Sequence, residues 1–378
     1  MTHQTRSFLL PLSVLITLAA CSGTNDPLPD ATGSGGAGAG GTSASGGASG
    51  TGGALGAGGL LGAGGALGTG GATLGVGGGV GAGGAPAAGG ADASGGASGE
   101  PEFHIYLAVG QSNMQGAAHV PQAPAMAPFH ERVQILQSET CPSSDNNPHP
   151  YGEWREMFVP IVMCKEGTRP LPGGGPEVAI GLGPADSFAV AMAEASGPNV
   201  TIGIVGAAHG DTNIDQHLPS CTSNCLPSWA NNTINGAPKI NGQVTPFTWV
   251  VDLAKKAQAT GEIKGIIFHQ GENDAGETSW PGKVNEYATA LRTELGLNAA
   301  DVPFIAGELP YTGGSANSHN PLVRQIPDVV ENGHYVSAGP MENGTVLGDR
   351  GDGIHWSTDS VIEMGKRYAA KMLEAQGK

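Results

Sequence analysis

The stretch Ile105-Tyr106-Leu107-Ala108-Val109-Gly110-Gln111-Ser112-Asn113-Met114-Gln115-Gly116 decides how this chain is read. An apolar run rich in β-formers stops at a glycine and gives way to a polar turn, as a buried parallel strand does where it hands a side chain to the top of a sheet. Ser112 stands at that handover, where a hydroxyl can serve as a nucleophile. Ser112 and Asn113 are good helix-capping residues, and the free N–H groups of a helix start attract a developing oxyanion. The same letters also read as a plain turn and cap. What separates the two readings lies far downstream, at His269 to Asp274 and Asp352 to His355.

Outward from this stretch, short apolar runs alternate with longer amphipathic ones. Strands are predicted at Phe103–Val109, Val133–Leu136, Val200–Val205, Ile263–His269, Val302–Gly307 and His334–Ser337. Helices are predicted at Asp186–Ala195, Phe247–Ala259, Lys283–Leu295, Pro321–Val330 and Thr358–Ala375. This alternation over residues 101–378 predicts one α/β domain, a central parallel sheet covered on both faces with functional groups at the carboxyl ends of its strands. Extra loops are expected around Cys141 to Pro176 and Asp215 to Gln243.

Upstream the character changes. The chain has 378 residues, and its 65 glycines crowd mostly into the first quarter. Residues 1–20 carry one basic residue, Arg6, and an apolar run from Phe8 to Ala20 that is too short to span a bilayer but suits a signal-peptide core. Leu18-Ala19-Ala20-Cys21 resembles a bacterial lipobox, which implies cleavage before Cys21 and lipidation of its thiol; ordinary secretion is the alternative. Ser22, by the sorting rule that resemblance brings, favours the outer membrane. Residues 21–100 are Gly, Ala, Ser and Thr with almost no charge, too little apolar surface to offset the entropy of ordering them, so a flexible linker is expected. Gly-x-Gly-x-x-Gly matches inside it reflect composition, since no strand precedes them.

Of 5 cysteines, setting Cys21 aside leaves Cys141, Cys164, Cys221 and Cys225, an even number in an oxidising compartment. Cys141–Cys164 and Cys221–Cys225 close short local loops and are the preferred pairing among the possible ones. A lone Cys-x-x-x-Cys is a weak zinc signal, and no metal is expected. A formal charge of −16 argues against nucleic acid and against an anionic membrane surface as partners, and leaves a neutral or cationic polymer open.

Four polar segments fall at predicted strand ends or in loops: Gly110 to Met114, Gly206 to Ile214, His269 to Asp274 and Asp352 to Ser357. Acyl transfer needs such a kit: a hydroxyl, an imidazole to take its proton, a carboxylate to orient the imidazole, and donors for the oxyanion. Asp352 and His355 are spaced so that one turn brings the carboxylate to the imidazole Nδ1–H and leaves Nε2 free to face Ser112. His209 and His217 are read as solvent-facing loop residues. Trp229, Trp249, Trp280 and Trp356 are weighed as sugar platforms, with Trp249 assigned to the core and Trp356, adjoining His355, the best candidate to line a pocket.

Gly110-Gln111-Ser112-Asn113-Met114, His269-Gln270-Gly271-Glu272 and Asp352-Gly353-Ile354-His355, in that order, resemble the signature blocks of the SGNH (GDSL-like) hydrolases. More narrowly they resemble the carbohydrate esterase family 6 and sialate O-acetylesterase group. Gly210-Asp211-Thr212-Asn213-Ile214 is similar to that group's Gly-Gly-Thr-x-Ile block, with Asp211 where the second glycine is usual. The resemblance covers Phe103 to Leu373 and implies a three-layer α/β/α, flavodoxin-like fold. It implies Ser112 as nucleophile, His355 as general base, and either Asp352 or Glu272 as the acid that orients His355. The implied oxyanion donors are the Ser112 and Gly210 N–H groups and a side-chain amide, Gln270 or Asn273. Gln111 and Trp356 are the expected substrate contacts. The implied activity is removal of O-acetyl groups from an acetylated carbohydrate through an acyl-serine, with no cofactor, and with the membrane met only through the N-terminal lipid. Oligomeric state is not legible. A catalytically weak or inactive carbohydrate-binding surface lipoprotein on the same, degenerate scaffold is the second reading.

Overall fold

The computed structural model of the protein describes residues 100–378 apart from 122–127, 142–148, 165–166, 171–176, 231–233 and 341–343. The expected signal peptide, Cys21 and glycine-rich linker therefore lie outside the described residues, apart from Glu100 at the linker's end. In chain order the strands are β1 (Glu102–Gly110), β2 (Ala118–His119), β3 (Val133–Leu136), β4 (Trp154–Glu156), β5 (Gly167–Pro170), β6 (Glu177–Leu182), β7 (Val200–Ala208), β8 (Glu262–His269), β9 (Phe304–Gly307) and β10 (Gly333–Val336). The helices are α1 (Ser112–Gln115), α2 (Pro184–Ala195), α3 (Ile214–His217), α4 (Pro246–Ala257), α5 (Trp280–Leu295), α6 (Ala316–Val323), α7 (Ile326–Val329) and α8 (Thr358–Ala375).

The main sheet runs β10-β9-β8-β1-β7-β3-β4, and the short β2, β6 and β5 form a second sheet. All pairings in the main sheet are parallel except at its β4 edge, which is antiparallel to β3. After β1 the chain places β3 and the edge strand β4 on one side and returns with β7 to the place beside β1, then crosses to the other side and builds outward through β8, β9 and β10. That reversal makes the carboxyl ends of β1, β7 and β8 the switch point where open α/β sheets carry their sites.

β1 shows why the sheet is covered twice. Ile105, Leu107 and Val109 point into one apolar core with Val250, Leu253, Val284, Tyr287 and Leu291 of α4 and α5. Tyr106 and Ala108 point into the other with Phe188, Met192, Met364, Tyr368 and Met372 of α2 and α8. Burying each large aliphatic side chain contributes about 1.5–3 kcal/mol, so register is firmly set. The flanking helices start on recognisable signals. Thr245 caps α4, accepting from the Thr248 N–H at 3.2 Å, with Pro246 next. Ser357 caps α8 through the Ser360 N–H at 3.4 Å.

The structure differs from the sequence reading at one expected helix and in several short strands. The helix expected over Pro321–Val330 is instead α6 and α7. Pro327 lacks the N–H that a continuous helix would bond to the Val323 carbonyl, so the chain breaks between them. α6 starts before the expected bound and is pinned there, the Asn320 side chain accepting from the Leu309 N–H at 2.8 Å and donating to its carbonyl at 3.2 Å. The antiparallel edge strand β4 and the strand β5 fall within Cys141 to Pro176, where an extra loop was expected, and β2 and β6 were not anticipated.

Candidate active site

Gly110 ends β1 with φ +148°, and a Cβ there would lie 1.9 Å from the His269 carbonyl oxygen. Only glycine lets β1 and β8 close to that separation before the chain turns. Ser112 opens α1 directly above. The loop before α8 brings His355 to it, with Nε2 3.0 Å from Ser112 Oγ and Nδ1 2.8 Å from Asp352 Oδ2.

Asp352 is held on all sides. Its Oδ1 accepts the Ile354 and His355 backbone N–H groups at 3.0 and 2.8 Å, and Oδ2 also accepts from Arg350 Nε at 2.7 Å. Partial burial pushes its pKa up, but these donors together outweigh burial and hold the carboxyl well below the usual range. The loop itself is braced by Asp349, whose Oδ1 accepts from the Gly351 and Gly353 N–H groups. Thr312 bonds the other Asp349 oxygen, and the Gly314 N–H donates to Gly353 O at 3.0 Å. Asn113 ties the same loop to α1, donating to Ile354 O at 3.0 Å and accepting the Trp356 N–H at 3.0 Å. Asn113 was read as a helix cap but lies inside α1, whose N-cap is Gln111; Asp349 and Arg350 had no assigned role in the sequence reading, their only signal there being proximity to a block.

Glu272 stands elsewhere. It accepts from Asn113 Nδ2 at 2.5 Å and lies 3.6 Å from His269 Nε2, and its bond partners do not include His355. Burial raises its pKa to about 7. Among the expected amide donors, Gln270 Nε2 is buried and turned toward Asp274, Gln111 and the Thr212 carbonyl. Asn273 is exposed and donates to Asp211 at 3.0 Å. Asp211 has φ +62°, which explains why glycine is usual at that place in the pattern; a short Asx side chain tolerates it. Gly210 does meet Ser112, since a Cβ on it would stand 3.3 Å from Ser112 Cβ.

Other expectations are corrected. Trp356 is fully buried, its Nε1–H donating to His269 Nε2 at 3.2 Å, and so offers no face to a sugar. Trp280 is core as well, Trp249 is core as expected, and the side chain of Trp229 lies outside the described ones. Gln111 is a buried strut, its Oε1 receiving Gln270 Nε2 at 3.2 Å. His209 and His217 are buried, not solvent-facing. His217 packs edge-on against Phe268 and Tyr287, and burial pushes its pKa down to about 3. Cys141 is bonded to Cys164 and Cys221 to Cys225, a pairing that fits an extracellular setting. No helix among the described residues is long and apolar enough to cross a membrane. Among the described residues no group of three His, Cys, Asp or Glu side chains could hold a metal.

A doubly wound α/β sheet thus joins a serine, an imidazole and a carboxylate at its switch point, the kind of groups that acyl transfer uses. The family described as "Carbohydrate esterase, sialic acid-specific acetylesterase" matches residues 102–374, and the chain belongs to it, as an esterase acting on acetylated sugars. Among solved structures it is similar in fold to NanS, at 15% identity and a TM-score of 0.53, covering 73% of this chain and 98% of that one. It is similar also to a protein from Arabidopsis thaliana, at 19% identity and a TM-score of 0.50, covering 72% and 99%.

Proposed function

We propose that the protein is an exported serine esterase that removes O-acetyl groups from carbohydrate through an acetyl-serine. The single observation behind this is the continuous path Ser112 Oγ, His355 Nε2, His355 Nδ1, Asp352 Oδ2, with steps of 3.0 and 2.8 Å across the ring. Ser112 Oγ attacks the acetyl carbon while His355 Nε2 takes its proton, and the oxyanion forms against the Ser112 and Gly210 N–H groups. Collapse breaks the ester bond, and His355 returns the proton to the departing sugar oxygen. Water, deprotonated by the same imidazole, then releases acetate and restores the serine. Asp352 is the orienting acid, being bonded to the ring, whereas Glu272 is bonded to Asn113. With Trp249, Trp280 and Trp356 buried, Ile354, 44% exposed beside His355, is an apolar side chain offered to substrate.

The substrate class is an acetylated polysaccharide such as acetylxylan, or O-acetylated sialic acid; nucleic acid is not a partner. Lipidation of Cys21 would place the enzyme on the bacterial outer membrane, with secretion the alternative; palmitate labelling that Cys21→Ala does not abolish would sink the anchor. The central test is Ser112→Ala, expected to lower p-nitrophenyl acetate hydrolysis by orders of magnitude with the fold intact. Near-full activity, or fluorophosphonate labelling at another residue, would remove the assignment. Acetate release from acetylated xylan, acetylated mannan and O-acetylated sialic acid then ranks the substrates.

A further inference from the structure

The donor expected of Gly210 is already occupied. Its N–H donates to the Gln115 side chain at 2.9 Å, and since a backbone N–H only donates, the carboxamide atom facing it is the oxygen. Gln115 is the last residue of α1, one turn beyond Ser112, and is half-buried. A methyl group on Gly210 would stand 3.2 Å from Gln115 Oε1 and 3.3 Å from Ser112 Cβ, so the amide oxygen lies on the side of the glycine where the reacting ester must come. The neighbouring amides are tied down more than once. Asn113 holds Glu272, Ile354 and Trp356, and Gln270 holds Asp274, Gln111, Thr212 and Trp280. The Gln115 side chain has the Gly210 bond alone among the described residues.

We propose that Gln115 is a positioning residue that acts through Gly210. Its carboxamide oxygen holds the Gly210 N–H in the empty enzyme, and an ester displaces it before the acetyl carbonyl oxygen reaches that donor. The inference rests on the reading of Ser112 as nucleophile and Gly210 as oxyanion donor. One hydrogen bond is exchanged for another, so the penalty is modest, roughly two- to tenfold in apparent affinity. The exchange is complete once substrate is seated and persists through the transition state, so it falls on KM and leaves kcat alone.

The experiment uses the full chain with p-nitrophenyl acetate. Gln115→Met keeps the side chain's length and helix preference but removes the strong acceptor. Gln115→Asn, one methylene shorter, withdraws the oxygen from Gly210 and stands in should the methionine variant fold poorly. Both are expected to lower KM roughly two- to tenfold at unchanged kcat and to speed fluorophosphonate labelling of Ser112 by the same factor. A raised KM, a lowered kcat, or parameters equal to the parent's would overturn the proposal. Failure of the underlying site reading looks different: Ser112→Ala would then retain turnover, whatever the Gln115 variants do.

Discussion

Asp352 and Glu272 are two carboxylates in one neighbourhood pushed in opposite directions, which supports the proposed choice of Asp352 as the orienting acid. Asp352, surrounded by donors, stays ionised and can face an imidazolium; Glu272, dry and facing the Asn113 amide, resists ionisation. Asp352→Asn should lower kcat about 100- to 10,000-fold, because an amide neither fixes the imidazole tautomer nor offsets its charge. Glu272→Gln should keep activity within a few-fold, and a collapse of kcat comparable to that of Asp352→Asn would transfer the acid's role to Glu272. The glutamine variant should also change how stability depends on pH. The folded-state pKa of Glu272 is raised from 4.5 to about 7, so between those values the folded chain holds a proton that the unfolded chain has lost. Stability therefore falls as pH rises through that window and is level above it. Glu272→Gln removes this decline, of order 1–3 kcal/mol. Its melting temperature should exceed the parent's at pH 8 and converge with it near pH 4, and parallel profiles would contradict the buried acid.

The elements meet tightly where the histidine loop is anchored. α8 crosses α2 at Gly365, where a Cβ would come within 2.0 Å of Ser187 Oγ and 2.3 Å of Pro184 O. Gly365→Ala should force the helices apart at a cost of about 1–3 kcal/mol. Because α8 begins just after His355, kcat should fall with stability; a variant with parental urea midpoint and activity would show the crossing to be slack. The sequence carried the strands well, because the β1 stretch and its partners Val200–Ala208 and Glu262–His269 are apolar on both faces, and only a twice-covered parallel sheet accepts that. It carried the Ser112, Asp352 and His355 positions because glycines and short spacings fix turns locally. It did not carry direction. Trp356 adjoins His355 and Gln111 adjoins Ser112, yet neighbours along the chain point to opposite sides, and both turn into the core. The Gln270 amide and the two histidines after β7 were misplaced for the same reason: whether a polar side chain is buried depends on partners distant in sequence. The break between α6 and α7 sits at Pro327, and the expected helix Pro321–Val330 took no account of it.

On the scale of the whole molecule, the bonded cysteines clip loops of unequal length. Cys141–Cys164 spans 23 residues and Cys221–Cys225 spans 4. Loop-closure entropy gives about 3 kcal/mol for the first and about 2 for the second. Replacing both members of each pair by serine should lower urea-unfolding free energies in that order. A larger loss from the short loop would mean that packing around it, not chain entropy, sets its contribution. The position of β1 reaches further than the catalytic site. It is the middle strand, with Leu107 paired to Val205 on one side and Ile266 on the other, yet it precedes both partners in the chain. On a ribosome, then, an apolar strand emerges with nothing to pair with until many later residues have followed, and non-local pairing of that kind is slow. During synthesis β1 waits unpaired, and Ser112 meets His355 only once the loop before the last helix is in place.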